Sequence, residues 1–127
     1  MSEKPTNPVA YAELQSHDPA RARAFYAELF GWKADEEKTP AGPYWAFQGV
    51  LAGLTAPRDG VPAGWIPYLN VDDVAAATGR ARSLGAEILR DCIAIEPGTF
   101  SVVRDPTGAV LGLWQAVELE QAAGRRL

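Results

Sequence analysis

YAELQSHDPARARAFYAELFGWKAD, Tyr11–Asp35, decides the reading of this chain once it is laid against IPYLNVDDVAAATGRARSLGAEIL, Ile66–Leu89. Asp18 falls on Asp73, Ala22 on Ala77 and Leu29 on Leu84, and one deletion then places Gly31 on Gly85. The later stretches correspond too. GPYWAFQ, Gly42–Gln48, lies against GTFSVVR, Gly98–Arg104, and VLAGLTA, Val50–Ala56, against AVLGLWQ, Ala109–Gln115. The second copy carries a longer turn, Asp105-Pro106-Thr107-Gly108, where the first has Gly49. Agreement of many weak matches in chain order indicates an internal repeat.

Each copy opens on an alternating strand, with Tyr11, Glu13 and Gln15 on one face and Ala12 and Leu14 on the other. Asp18-Pro19 then opens a helix, since Asp accepts from free first-turn N–H groups and Pro suits the first helical position. Ala22, Phe25, Tyr26 and Leu29 recur at helical spacing, and Gly31 stops the helix by taking positive φ cheaply. In the second copy Asp73 caps, Val74, Ala77, Ala81 and Leu84 form the stripe, and Gly85 terminates. Three strands follow each helix, near 31–36, 44–48 and 50–56, then near 86–91, 99–104 and 109–116. The predicted class is α+β, a single domain of two β-α-β-β-β repeats, about 8–57 and 63–117. A Pro/Gly-rich stretch, Ala56–Gly64, joins them, and the ends Met1–Asn7 and Glu118–Leu127 read as frayed. One helix covers one face of its four strands, so two units are expected to make a curled mixed sheet around a cleft on the other face.

Composition bounds the alternatives. A chain of 127 residues buries roughly 65–70% of its unfolded surface and needs no metal or disulfide to hold a core. Its net charge of −4 does not attract phosphate backbones, so nucleic-acid binding is not expected. No apolar run suggests a membrane span, and the N-terminus MSEKPTNP has no apolar signal segment. A single cysteine, Cys92, calls for no oxidising compartment, and cytoplasm is the default expectation.

The pattern D-P-x-x-x-x-x-F-Y-x-x-L-F-G-W, followed by a second copy ending D-P-x-G-x-x-x-x-L-W, resembles the vicinal oxygen chelate superfamily. That group holds glyoxalase I, bleomycin- and fosfomycin-resistance proteins and extradiol dioxygenases. Asp18, Phe25, Tyr26, Leu29, Gly31 and Trp32 carry the resemblance in the first copy, and Asp73, Gly85, Asp105, Pro106, Gly108 and Leu113 in the second. It spans Tyr11–Gln115 and is strongest to small glyoxalase-like proteins of actinobacteria. It specifies fold better than activity.

The resemblance implies four metal-ligand positions, normally His and carboxylate donors, and here they read Tyr11, Gly53, Ile66 and Gly112. None is an effective donor for a divalent ion, so no metal and no cofactor is expected. The two glycines would instead leave volume for a guest. Tyr11 is cleft-facing by the same resemblance, and alternation adds Glu13 and Gln15, then Ile66, Tyr68 and Asn70, then Trp114 beside Gly112. If the Asp105–Gly108 hairpin pairs Arg104 with Ala109, Ser101 faces Gly112, and the repeat brings Trp45 and Phe47 onto the same face.

The expected ligand-binding set is therefore Tyr11, Gln15, Trp45, Phe47, Gly53, Ile66, Tyr68, Asn70, Ser101, Gly112 and Trp114. Aromatic walls with few polar groups suit a small apolar or aromatic molecule. The expected function is metal-independent binding of such a molecule, as in bleomycin-resistance relatives, by a homodimer. The alternative is a lyase, isomerase or hydrolase on a small carbonyl compound, with Glu13 as general base and Tyr11 or Tyr68 as hydrogen-bond donor. A third reading is an interaction subunit whose cleft is filled by its own side chains. His17 reads as a rim or capping residue, Cys92 as a buried thiol, and Trp32 and Trp65 as packing residues.

Overall fold

The computed structural model describes residues 7–39, 42–57 and 60–117. The ends read as frayed lie outside these residues, Asn7 excepted. The element order is β1 (Val9–Gln15), α1 (Pro19–Phe30), β2 (Ala34–Thr39), β3 (Gly42–Phe47), β4 (Ala52–Thr55), β5 (Gly64–Asn70), α2 (Val74–Ser83), β6 (Glu87–Ile95), β7 (Gly98–Arg104) and β8 (Val110–Ala116). This is β-α-β-β-β twice, the expected α+β class. The chain divides into two compact units, Tyr11–Pro67 and Met1–Ala10 with Tyr68–Leu127. The division falls inside β1 and β5, not in the Pro/Gly-rich connection.

In the Tyr11–Pro67 unit the strands lie in the order β2-β3-β4-β1. β1 runs parallel to β4, with Glu13 opposite Gly53 and Gln15 opposite Thr55, while β3 is antiparallel to both of its neighbours. Helix α1 starts where the residues require it. Asp18 accepts from the Arg21 N–H at 3.1 Å, Pro19 opens the first turn, and Gly31 closes the helix at φ 73°. Beneath α1 pack Leu14, Trp45, Phe47 and Leu54, with Ala22, Tyr26 and Trp32 against them. Each fully buried Leu or Phe contributes roughly 1.5–3 kcal/mol.

Tyr26 anchors the helix. Its ring lies 5.7 Å from Trp32 and 6.2 Å from Phe47, and its hydroxyl accepts from the Trp65 indole N–H at 3.0 Å. Trp32, Trp45 and Phe47 take up the space under the helix, so the expected stripe is only half used. Phe25 and Leu29 remain 56% and 55% exposed.

In the other unit the order is β5-β8-β7-β6, with β5 parallel to β8. Asp73 caps α2 by accepting from the Ala76 N–H at 3.0 Å, and the Val74 N–H donates to the Gln115 side-chain oxygen at 2.8 Å. Val74, Val103 and Leu113 form the core below α2, with Ala77, Ala81, Ile88 and Cys92 against it. Cys92 is half-buried rather than buried, and takes φ 51° where β6 departs from regular pairing. These irregularities carry β6 to Ile95, four residues past the expected end at Asp91.

The β7–β8 hairpin corrects the expected register by one residue. The Asp105 carboxylate gathers the Thr107 N–H at 2.8 Å, the Thr107 hydroxyl at 2.7 Å and the Ala109 N–H at 3.1 Å. The Asp105 N–H donates to the Ala109 carbonyl at 2.7 Å, so Ala109 belongs to the turn and Arg104 pairs with Val110. Ser101 then faces Leu113, not Gly112. A slip of one flips every side chain to the other face.

Candidate functional site

The slip moves three expected ligand-binding residues away from the site. Ser101 lies under α2, fully buried, where its hydroxyl shares a 2.8 Å hydrogen bond with that of Thr78 and accepts from the Cys92 N–H at 2.9 Å. Trp45, its counterpart by the repeat, and Phe47 lie under α1, and the Arg23 guanidinium sits 5.0 Å over the Trp45 ring. These three are core residues and do not line the opposite face of either sheet. The alternate positions, Tyr44 and Phe100, do.

On the Tyr11–Pro67 unit, the face away from α1 carries Tyr11, Glu13 and Gln15 from β1, Gly53 and Thr55 from β4, and Tyr44 from β3. Glu13 lies opposite Gly53, and a Cβ placed on Gly53 would stand 1.7 Å from the Tyr44 hydroxyl oxygen. The Gln15 side-chain amide donates to the Glu13 carboxylate. The oxygen of that amide, Gln15 Oε1, is buried with no hydrogen-bond partner among the described residues. The Thr55 hydroxyl donates to the Pro43 carbonyl at 3.1 Å.

Both phenols are held protonated. Burial, then the Glu13 charge, then Tyr44 push the Tyr11 hydroxyl far above the ordinary phenol range. Burial, then Glu13, then Glu37 push Tyr44 up to about 12. Two neutral O–H donors thus share one neighbourhood with a carboxylate acceptor, and both feel its charge. Such a set can orient a polar ligand or take a proton from it.

On the other unit, the face away from α2 carries Tyr68, Gly112, Phe100, Val102 and Trp114. The Tyr68 ring covers Gly112, where an added Cβ would meet it at 2.2 Å, and Phe100 meets that ring edge-on at 6.0 Å. Asn70 pairs with Trp114 along β8. The Trp114 ring crosses Gly98. The expectation that Gly53 and Gly112 leave volume is corrected: Tyr44 and Tyr68 fill it. Concavities of about 370 and 360 Å3 flank α1 instead. The first is bordered by Gln15, His17, Phe25 and Tyr26, so His17 is at its rim; the second is bordered by Arg23, Trp32 and Lys33.

Tested as metal donors, Tyr11, Gly53, Ile66 and Gly112 supply one phenol, two backbones covered by aromatic side chains and a buried alkyl group. This set does not fit a divalent cation. No group of three or more His, Cys, Asp or Glu among the described residues is placed to hold one.

The fold is that of the vicinal oxygen chelate superfamily, which the sequence motifs resemble. Residues 11–113 match the glyoxalase-like domain family, and the chain belongs to it. It is 34% identical over 116 residues to "Putative glyoxylase CFP32" of Mycobacterium tuberculosis, covering 84% of this chain and 44% of that protein. It is 31% identical over 135 residues to the anthracycline biosynthesis protein DnrV of Streptomyces peucetius, covering 89% of this chain and 48% of that protein. The chain therefore spans about half the length of the curated relatives it matches. Its fold is similar to that of methylmalonyl-CoA epimerase from Mycobacterium tuberculosis, with a TM-score of 0.61 at 18% identity over 97% of each chain.

Proposed function

We propose that this chain binds a small aromatic molecule without a metal ion, using Tyr11, Glu13, Gln15 and Tyr44 as its polar anchors. The carrying observation is the Tyr44 hydroxyl standing where a side chain on Gly53 would go. A position that in metal-dependent relatives would present a donor to a cation is covered here by a protonated phenol beside a carboxylate. Two phenol donors, one carboxylate and a buried, unpaired amide oxygen suit a ligand that carries both hydroxyl and carbonyl groups. A relative named for anthracycline biosynthesis supports an aromatic ligand of this kind.

The test has two arms. Elemental analysis of dialysed protein is expected to find no stoichiometric Zn, Ni, Mn or Fe. Calorimetry with 2-naphthol as probe is expected to show binding that weakens about tenfold in Glu13→Gln, the scale of one hydrogen bond to a charged group. Stoichiometric metal, or equal binding by the variant, rejects the reading.

One observation favours a second reading, an enzyme in which Glu13 takes a proton from carbon next to a carbonyl. The Glu13 charge acts on two protonated phenols, which could donate to the oxyanion that forms. Wild-type protein would then speed deuterium exchange at the benzylic carbon of phenylacetone, and Glu13→Gln would not.

We further infer that two copies of the chain associate through α1, whose Phe25, Leu29 and Phe30 are all more than half exposed.

A further inference from the structure

Strand β6 passes β7 irregularly, and the irregularity frames one residue. The register shifts between Ile88 and Arg90, and again between Arg90 and Ile93. Ile88 pairs with Val103 and packs below α2, and strict alternation would send residue 90 to that same side. Instead Arg90 lies opposite Val102, on the face away from α2, with its guanidinium over the Phe100 ring at 5.8 Å. Bulges re-aim side chains in this way. Ile93 follows, opposite Phe100.

The acids nearest along β6 are already engaged. Asp91 pairs with Arg82 at 3.0 Å, and Glu87 with Arg104 at 2.7 Å. Arg90 has no carboxylate partner among the described residues. It is half-buried, as are Ile93 and Phe100, so a solute can reach it. A guanidinium held over a ring by its charge keeps N–H donors for a planar acceptor.

We propose that Arg90, positioned over the Phe100 ring, recognises the carboxylate of an aromatic or acyl ligand whose apolar body lies against Ile93 and Phe100. A single fork among apolar side chains suits a carboxylate, and a chain of net charge −4 does not gather polyanions. This site goes beyond the reading above: it lies on the other unit's sheet and stands without Glu13.

The test is calorimetry of the full chain with 2-naphthoate and its neutral isostere 2-naphthamide. Wild-type protein is expected to bind naphthoate about tenfold or more tightly than naphthamide, with a preference that shrinks as salt is added. Arg90→Gln is expected to abolish the preference and Arg90→Lys to keep part of it. Should Arg90→Gln not fold, NMR of the wild type decides, since naphthoate and not naphthamide should shift the Arg90 Nε–H and Phe100 signals. Equal affinity for the two probes, an Arg90→Gln protein that still prefers naphthoate, or no naphthoate binding at all overturns the proposal. None of these outcomes bears on the loss of 2-naphthol binding in Glu13→Gln, so the two readings fail separately.

Discussion

The hydroxyl of Tyr44 occupies the space that any side chain at Gly53 would need, 1.7 Å from where the Cβ would stand. Gly53→Ala must therefore displace a half-buried phenol. Overpacking of this kind costs about 1–3 kcal/mol. In a chain of this size that lowers Tm by about 3–6 °C per kcal/mol. Calorimetry should show the drop in Gly53→Ala and its recovery in Gly53→Ala with Tyr44→Leu. An unchanged Tm in the single variant would place Tyr44 elsewhere. Gly112→Ala should cost more, because the Tyr68 ring it strikes is only 2% exposed and has less room to yield.

Gly79 shows the opposite case. It lies inside α2, and an added Cβ meets nothing within 4 Å. Glycine in a helix interior costs about 0.5–1 kcal/mol relative to alanine. Gly79→Ala is expected to stabilise by that amount, read as a higher urea midpoint at unchanged m. A lower midpoint would mean that the outer face of α2 is covered.

The two phenols set a pH dependence with a definite sign. Tyr44 titrates near 10 in the unfolded chain and near 12 when folded, because burial and the Glu13 charge oppose its ionisation. Between those values the native state holds the extra proton, so stability falls as pH rises from about 10 and the loss levels off above about 12. Tyr11 shifts in the same direction. Ultraviolet titration should show two tyrosines ionising late. Glu13→Gln should bring both earlier, though not to the ordinary value, since burial is the larger cause.

The repeat was legible because its signals are local: an Asp cap, a Pro at the first helical position, and glycines that end α1 and follow α2. These fixed both helices and the β-α-β-β-β order. Which face Trp45, Phe47 and Ser101 occupy was not legible, since it hangs on one residue of register at Asp105–Ala109. That register is set by a carboxylate that gathers three donors, a feature of side-chain geometry that spacing does not reveal. The repeat pairing itself was sound: Trp45 and Ser101 occupy corresponding places under their helices. Tyr44 was reachable, as the aromatic neighbour that must face outward once Trp45 faces in. Arg90 was not, because the bulge between Ile88 and Arg90 reversed its side.

Ser101 is now a structural residue, and its removal has a predictable cost. Ser101→Ala takes a partner from the Thr78 hydroxyl and the acceptor from the Cys92 N–H. A buried polar group left unpaired costs about 1–3 kcal/mol. Thr78 keeps its 2.6 Å bond to the Val74 carbonyl, so the Cys92 amide should bear most of the loss. Hydrogen exchange at that amide should speed up more than at Thr99 or Ala94. Equal effects on all three would mean a global loss of stability instead.

The exposed side of α1 gives the last test. Phe25, Leu29 and Phe30 are 56%, 55% and 56% exposed on one short helix. Exposed apolar patches of this kind mark contact surfaces. Sedimentation equilibrium should give the mass of two chains for the wild type. Leu29→Glu with Phe30→Glu should give the mass of one chain, with unchanged far-ultraviolet dichroism, because neither residue contributes to the core of Leu14, Trp45, Phe47 and Leu54. Leu29→Glu should cost the isolated fold no more than about 0.5 kcal/mol, whereas Phe30→Glu also gives up ring contacts with Trp32 at 4.8 Å and Tyr26 at 6.2 Å, a further cost of about 0.5–1.5 kcal/mol. A wild type that sediments as one chain at all concentrations would leave the α1 face without its second copy.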